Sequence, residues 1–172
     1  AGQEFKLGIL GGFNVYNAMP AIIIGRLAGM SSEEINKGLG GLKLIPGRME
    51  IIDEGQDFTV IVDYAHEKLS ITYVLETGRA MRKPGARVII LLGAEGGGRD
   101  KAKRPIMGEL SAKLADYMVV SNVDPYEDDP QEILEDIATV AEKFGKARNK
   151  DLWVIEDRRE GIAKALELAQ KN

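Results

Sequence analysis

The chain has no cysteine among its 172 residues. That absence excludes disulfides, thiolate metal sites and cysteine nucleophiles, and it agrees with a reducing cytoplasm. Histidine occurs once, at His66, so a metal site built from several imidazoles is excluded. Any metal would be held by carboxylates and a nucleotide. There is no surplus of positive charge either. A net charge of −4 carries none of the footprint of a general nucleic-acid binder. Long apolar runs are missing as well. The longest, around Met19 to Ile24, falls far short of the roughly 20 residues that span a bilayer. The opening AGQEFKLGIL lacks the basic start and long apolar stretch of a signal peptide. These absences predict a soluble, cytoplasmic chain with no membrane or nucleic-acid partner. Neither a G-x-x-x-x-G-K-[ST] phosphate loop nor a G-x-S-x-G nucleophile elbow occurs, so neither of those two motifs supplies the chemistry. Six prolines and 20 glycines are spread without a repeat or a low-complexity linker.

What is present is ordinary globular material. Apolar residues make up 44% and charged residues 29%, enough for a hydrophobic core in one or two domains. From about residue 57 the pattern alternates. FTVIVDYA (58–65), RVIILLG (87–93), DYMVVSN (116–122) and LWVIED (152–157) read as strands. EKLSITYVLETGRAMR (67–82), KRPIMGELSAKLA (103–115), DDPQEILEDIATVAEKFG (128–145) and RREGIAKALELAQ (158–170) read as helices. The third of these has an aspartate cap, a proline at its start and Gly145 at its end. Strand followed by helix, four times over, predicts an α/β fold: a Rossmann-like, mostly parallel sheet with helices on both faces. The first 50 or so residues differ. EFKLGIL reads as a strand, 14–29 as a helix, 31–42 as a serine-capped helix, and 46–65 as a hairpin turning at DEGQD. Two helices and a strand do not easily close a core, so this segment reads as the tail of another domain.

In a parallel α/β sheet, ligands collect at the carboxyl ends of the strands. The four turns there are polar, and one stands out. GAEGGGRDKAKRP (93–105) sets Gly96, Gly97 and Gly98 before Arg99, Lys101, Lys103 and Arg104, at the start of a helix. Glycines permit close backbone approach, and a cationic helix start attracts anions; a loose connector with solvated charges would read the same. Asp63 and His66 follow a strand end in DYAH, as a catalytic pair or as structural residues. PYEDD (125–129) is either an acidic metal cluster or, more simply, a helix cap at Asp128 or Asp129. Asn14 opens the first helix, where capping accounts for it. Asn17 needs another reason, and a side-chain amide can read a base edge.

Taken in order, GGFNVYNAMPA (11–21), IPGRMEII (45–52), VIVDYAH (60–66), GGGRDKAKRPIMG (96–108), DPYEDDPQEI (124–133) and EDRREGI (156–162) resemble the Mur ligase family, most closely its MurE type. The motifs cover nearly the whole chain. The resemblance implies an ATP- and Mg2+-dependent acid–amino-acid ligase of peptidoglycan precursor synthesis. It would add the third amino acid to a UDP-MurNAc-dipeptide through an acyl phosphate. Residues 1–45 would be the tail of the central ATPase domain and residues 46–172 the amino-acid-binding domain, with residues 44–48 as the hinge. The phosphate loop, the magnesium ligands and the UDP-sugar domain would lie upstream. A closing GKGHE-like segment would follow AQKN, so the chain reads as a fragment inactive alone. By the same resemblance Asn17 faces the adenine. Arg48 and Asp63 hold the ribose and the adjoining nucleotide, across the junction of the two domains. His66 lies by the phosphates as the catalytic residue, and Arg99 pairs with the amino acid's carboxylate.

Two departures bear on this. The family's DNPR is VDPY at 123–126, which puts Asp124 at the asparagine and Tyr126 at the arginine that grips a distal carboxylate. Losing that cation, with Asp124 free to meet an ammonium, points to lysine or another diamino acid. The usual proline after the histidine-threonine pair is Lys68, which loosens the parallel for His66. A folylpolyglutamate-type ligase with another acceptor, or a non-catalytic ligand-binding domain of the same fold, are the alternatives.

Overall fold

The computed structural model describes residues 3–170; Ala1, Gly2, Lys171 and Asn172, the outer ends of AGQEFKLGIL and AQKN, lie outside them. The chain divides into two compact units, with the boundary between Tyr64 and Ala65.

The first unit contains α1 (Asn14–Leu27), α2 (Ser32–Gly41), β1 (Glu50–Ile52) and β2 (Val60–Val62). The predicted serine cap is present. Ser31 Oγ accepts from the Glu34 N–H at 3.2 Å while the Glu34 carboxylate accepts from the Ser31 N–H at 2.8 Å. That backbone bond first, and then the Ser31 hydroxyl donating to the same carboxylate at 2.8 Å, hold the Glu34 carboxyl below its usual range. The predicted hairpin also forms, antiparallel, with Ile51 opposite Ile61. Within the turn the Gln56 side chain donates to the Ile52 carbonyl at 2.7 Å.

Two expectations are corrected. EFKLGIL is not a strand: the Lys6 N–H donates to Asn36 Oδ1 at 2.8 Å and the Gly8 N–H to the Leu39 carbonyl at 3.2 Å. Its donors go to α2 and its neighbourhood, so no ladder can form. The run at 58–65 does hold a strand, β2, but one that pairs with β1 and not with the parallel sheet.

The parallel sheet therefore has three strands. The second unit runs α3 (Lys68–Met81), β3 (Ile89–Leu92), α4 (Lys103–Leu114), β4 (Tyr117–Val120), α5 (Pro130–Lys143), β5 (Leu152–Val154) and α6 (Arg158–Gln170). The strand order is β3-β4-β5. Stepping in one direction through right-handed crossovers puts α4 and α5 on the same face. They pack on each other and on β4, whereas α6 packs on β3 and β4. Side chains divide the sheet accordingly. Leu92, Met118, Val120 and Leu152 join Met107, Ile133, Leu134, Ile137 and Ala138 in the main core. The intervening row, Leu91–Val119–Trp153, points the other way, and Lys164 of α6 lies 5.2 Å over the Trp153 ring. Only the central strand is sealed on both sides, Met118, Val119 and Val120 each being fully buried.

Helix α5 has the ends its sequence predicts. Asp129 caps it by accepting from the Gln131 N–H at 2.8 Å, and Pro130 fills its first position. Gly145, at φ +94°, turns the chain out of it, with Gly145 N–H bonded to Glu142 O and Lys146 N–H to Ala141 O. No described helix is long and apolar enough to cross a membrane.

Candidate functional site

At the carboxyl ends of β3 and β4, two turns are locked against each other. The Gly96 N–H donates to the Asp124 carbonyl at 2.9 Å. A Cβ at Gly93 would lie 1.9 Å from the Ser121 carbonyl oxygen, and one at Gly96 2.1 Å from the Pro125 oxygen. At Gly97 it would lie 2.9 Å from the Tyr126 ring. The close backbone approach that Gly96 and Gly97 permit is an approach to the facing turn. Gly96 and Gly97 are small because the neighbouring turn occupies the space a side chain would need.

The interlock brings three predicted residues onto one rim. Arg99 is 60% exposed, and its Nε lies 3.3 Å from Glu95 Oε2. Asp124 and Tyr126 are exposed on the facing turn, with Tyr126 in a left-handed conformation at φ +52°. An exposed guanidinium resting on a single carboxylate is weakly held, since solvent screens such pairs to under about 1 kcal/mol. A ligand carboxylate can therefore compete for it.

The remaining cations of the elbow are not alike. Lys101 pairs with Asp128 and Glu132 at 3.8 and 3.4 Å. Lys103 is nearly buried, 3.7 Å from Glu67, whose carboxylate also lies 3.7 Å from His66 Nε2. Arg104, expected among the solvated or anion-attracting charges, is wholly buried. It meets Asp136 at 3.0 Å, Asp128 at 3.2 Å and the Glu95 carbonyl at 3.3 Å. Of the acidic run 125–129, Asp129 is thus the cap and Asp128 an ion-pair partner. Glu95, Glu67 and Asp136 went unnoticed in the sequence, because nothing in their local pattern marks a contact made across elements. The visible signal was the number of acids flanking an arginine-rich turn.

At the next turn, Arg158 of α6 reaches the Ser121 carbonyl at 3.4 Å. Burial pushes its guanidinium below the usual arginine value.

Asn17, Arg48 and Asp63 belong to the first unit. Asn17 is exposed on α1 and donates to Asn14 Oδ1 at 2.8 Å. Asn14 is not the cap: Phe13 occupies that position, and the Asn14 amide donates to the Leu10 carbonyl. Arg48 is exposed, its guanidinium 5.7 Å over the Tyr64 ring. Asp63 accepts from the Met49 N–H at 2.8 Å. Met49 itself has φ +48° and is 3% exposed, so Asp63 holds an unusual backbone turn beside Arg48. A surface hollow of about 400 Å³ on this unit is lined by Lys6, Glu33, Asn36, Lys37 and Gly40, none of them among the predicted ligand-binding residues. Among the described residues no cluster of three or more histidines or acids could hold a metal ion, so no donor set for magnesium is assigned here.

A three-stranded parallel sheet with a polar, interlocked rim at its carboxyl ends defines an α/β domain, a fold in which ligands collect at that end of the strands. The chain belongs to the Mur ligase family: residues 47–172 match the Mur ligase glutamate ligase domain. It is 38% identical over 170 residues to the UDP-N-acetylmuramoyl-L-alanyl-D-glutamate–2,6-diaminopimelate ligase of Fusobacterium nucleatum, covering 99% of this chain and 34% of that protein. Against the same-named ligase of Syntrophomonas wolfei it is 40% identical, over 96% of this chain and 32% of that one. The chain thus spans about a third of the length of the curated relatives it matches. A solved structure of a ligase of this name matches with a TM-score of 0.62 at 30% identity, over 96% of this chain and 32% of that one. A Mycobacterium tuberculosis folylpolyglutamate synthase complexed with ADP shares the fold, with a TM-score of 0.74 at 20% identity over 98% of this chain and 36% of that one.

Proposed function

We propose that the chain is the carboxyl-terminal part of an ATP-dependent ligase that adds a diamino acid, as third residue, to a UDP-MurNAc-dipeptide. The observation that carries the reading is the rim itself. Arg99 and Asp124 stand on two turns joined by the Gly96–Asp124 backbone bond of 2.9 Å, on a domain whose relatives carry that activity in their names.

In the proposed reaction the dipeptide carboxylate attacks the γ-phosphorus of ATP and ADP leaves. The amino group of the incoming amino acid then attacks the acyl carbon, phosphate departs, and the amine gives up a proton as the amide forms. Little covalent work falls to the protein, so positioning and charge stabilisation dominate. Arg99 would take the α-carboxylate with its planar fork. That fixes the amine's direction of approach, while Asp124 would meet the side-chain ammonium and Tyr126 would line the same end. Asn17 would face the adenine, with Arg48 and Asp63 at the ribose and nucleotide, and His66 near the phosphates. Magnesium would accompany ATP on ligands outside the described residues. A boundary near residue 45 between an ATPase tail and the amino-acid-binding part is included in the proposal; the family match from residue 47 supports it. The relatives' names specify 2,6-diaminopimelate. Tyr126 in place of a distal-carboxylate arginine favours lysine or another diamino acid here. A cytoplasmic location belongs to the same reading.

The test is amino-acid-dependent ADP release by the full-length protein with UDP-MurNAc-dipeptide and a panel including lysine and diaminopimelate. Release with lysine above diaminopimelate is expected. No release with any diamino acid would sink the assignment.

A further inference from the structure

Arg104 adds nothing to the reading above except charge, yet its side chain is only 1% exposed. Its Nη1 donates to Asp136 Oδ2 at 3.0 Å, and its Nη2 to Asp128 Oδ2 at 3.2 Å and the Glu95 carbonyl at 3.3 Å. Those acceptors lie on α5, on the turn after β4, and on the elbow after β3. One guanidinium therefore ties three segments, and two of them carry the rim. Glu95 is doubly engaged: its carbonyl is held by Arg104, and its carboxylate holds Arg99 Nε at 3.3 Å. Asp128 closes the turn that bears Asp124 and Tyr126, its N–H donating to the Pro125 carbonyl at 3.1 Å.

The helices are built to admit this. A Cβ at Gly108, one turn beyond Arg104, would lie 2.3 Å from the Ile137 carbonyl oxygen, so α4 and α5 approach closely enough for Arg104 to reach Asp136. A buried charge needs opposite charge and used donors. A planar fork can serve separate acceptors at fixed angles, as an ammonium cannot. The Arg104 Nε has no acceptor, so the two Nη atoms alone set the side chain's aim.

We propose that Arg104 is a positioning residue for the amino-acid site, fixing the elbow and the facing turn relative to each other so that Arg99 and Asp124 meet one ligand. It touches no substrate. The proposal rests on the reading of that rim as the amino-acid site. A purely structural role, clamping α4 to α5, is the competing account.

Two variants of the full-length protein separate them: Arg104→Lys, and Arg104→Met combined with Asp128→Asn and Asp136→Asn, which removes the buried guanidinium and the charges of its two carboxylate partners together. The measurements are the KM for the amino acid, the KM for ATP, kcat, melting temperature, and hydrogen exchange of peptides covering 95–101, 123–129 and 133–141. Arg104→Lys is expected to raise the amino-acid KM about 10- to 100-fold, the scale of a small misplacement of binding groups, with the ATP KM unchanged. Both turns should exchange faster while 133–141 stays protected. The neutral triple variant should recover melting temperature but not amino-acid KM. Recovery of both in the triple variant, or unchanged exchange of the two turns in Arg104→Lys, overturns the proposal and leaves a helix clamp. A wild-type protein with no amino-acid-dependent turnover would instead remove the functional reading. The exchange data would still decide whether Arg104 holds the two turns.

Discussion

Arg99 and Arg104 stand on the same elbow and differ in nearly everything else. Arg104 is sealed between α4 and α5 with two carboxylates and a carbonyl as partners, while Arg99 is 60% exposed and rests on Glu95 alone. The difference is one of environment. A guanidinium out of water must be matched by fixed acids, so it becomes part of the frame. One left in water is screened and loosely held, so it stays free to exchange its partner for a ligand. The elbow is stiff inside and adaptable outside, which is the arrangement a carboxylate clamp requires.

The largest effect should come from the inner member. Arg104→Met leaves Asp128 and Asp136 without their shared cation, and because both carboxylates still reach solvent the loss should be about 3 kcal/mol, the lower end of the cost of breaking a buried pair. Urea or thermal unfolding checks it. A loss no greater than that of a surface substitution would erase the contrast between the two arginines.

The interlock of the turns comes next. Gly96→Ala pushes a methyl to 2.1 Å from a backbone oxygen, whereas at Gly98 no heavy atom lies within 4 Å and only φ +79° resists a side chain. Gly96→Ala should cost about 1–3 kcal/mol, and Gly98→Ala clearly less. Equal losses in unfolding experiments would mean that contact with the facing turn is not what selects glycine at position 96.

The outer member should hardly touch stability. Arg99→Ala is expected to stay within about 0.5 kcal/mol of wild type in unfolding. The amino-acid KM should nevertheless rise about 10- to 100-fold in the full-length protein, the scale of one hydrogen bond to a charged group. ATP KM should not move. An unchanged amino-acid KM would put the arginine outside the site.

How much of this was legible depends on whether a feature is local. The caps at Ser31 and Asp129, the exit at Gly145 and the hairpin around DEGQD are decided within a few residues, and the sequence carries them intact. The strand read at EFKLGIL failed because its spacing is strand-like but its N–H groups find acceptors in and beside α2. The 58–65 run fits both a strand of the parallel sheet and an arm of the hairpin, and only the hairpin pairing forms, since spacing tells nothing about which sheet a strand joins. At the rim, the order of motifs gave Arg99, Asp124 and Tyr126. It could not separate Arg99 from Arg104, because burial of a charge is settled by Asp128 and Asp136, which lie on another element. The partner of Gly96 and Gly97 is hidden for the same reason: it is the turn after β4.

The smallest effect probes the surface end of the comparison. Arg148 makes paired bonds to Glu135, at 2.8 and 2.5 Å, and to Glu142, at 3.0 and 3.2 Å, with all three side chains more than a third exposed. The bond from Arg148 is the main reason the Glu135 carboxyl titrates below its usual range, and burial opposes it. A carboxyl whose pKa falls on folding stabilises the native state above its unfolded value, about 4.3. That stabilisation disappears as pH drops through the lower folded value. Glu135→Gln should therefore flatten the decline in melting temperature below about pH 4. At neutral pH it should cost less than about 1 kcal/mol, because solvent reaches the network. Melting curves from pH 7 down to acid check both parts. If Glu135→Gln at neutral pH cost as much as Arg104→Met, burial would not be what divides framing arginines from exchangeable ones. The number of carboxylates around a guanidinium would then be the deciding quantity, and Arg99, with one, would still stand apart.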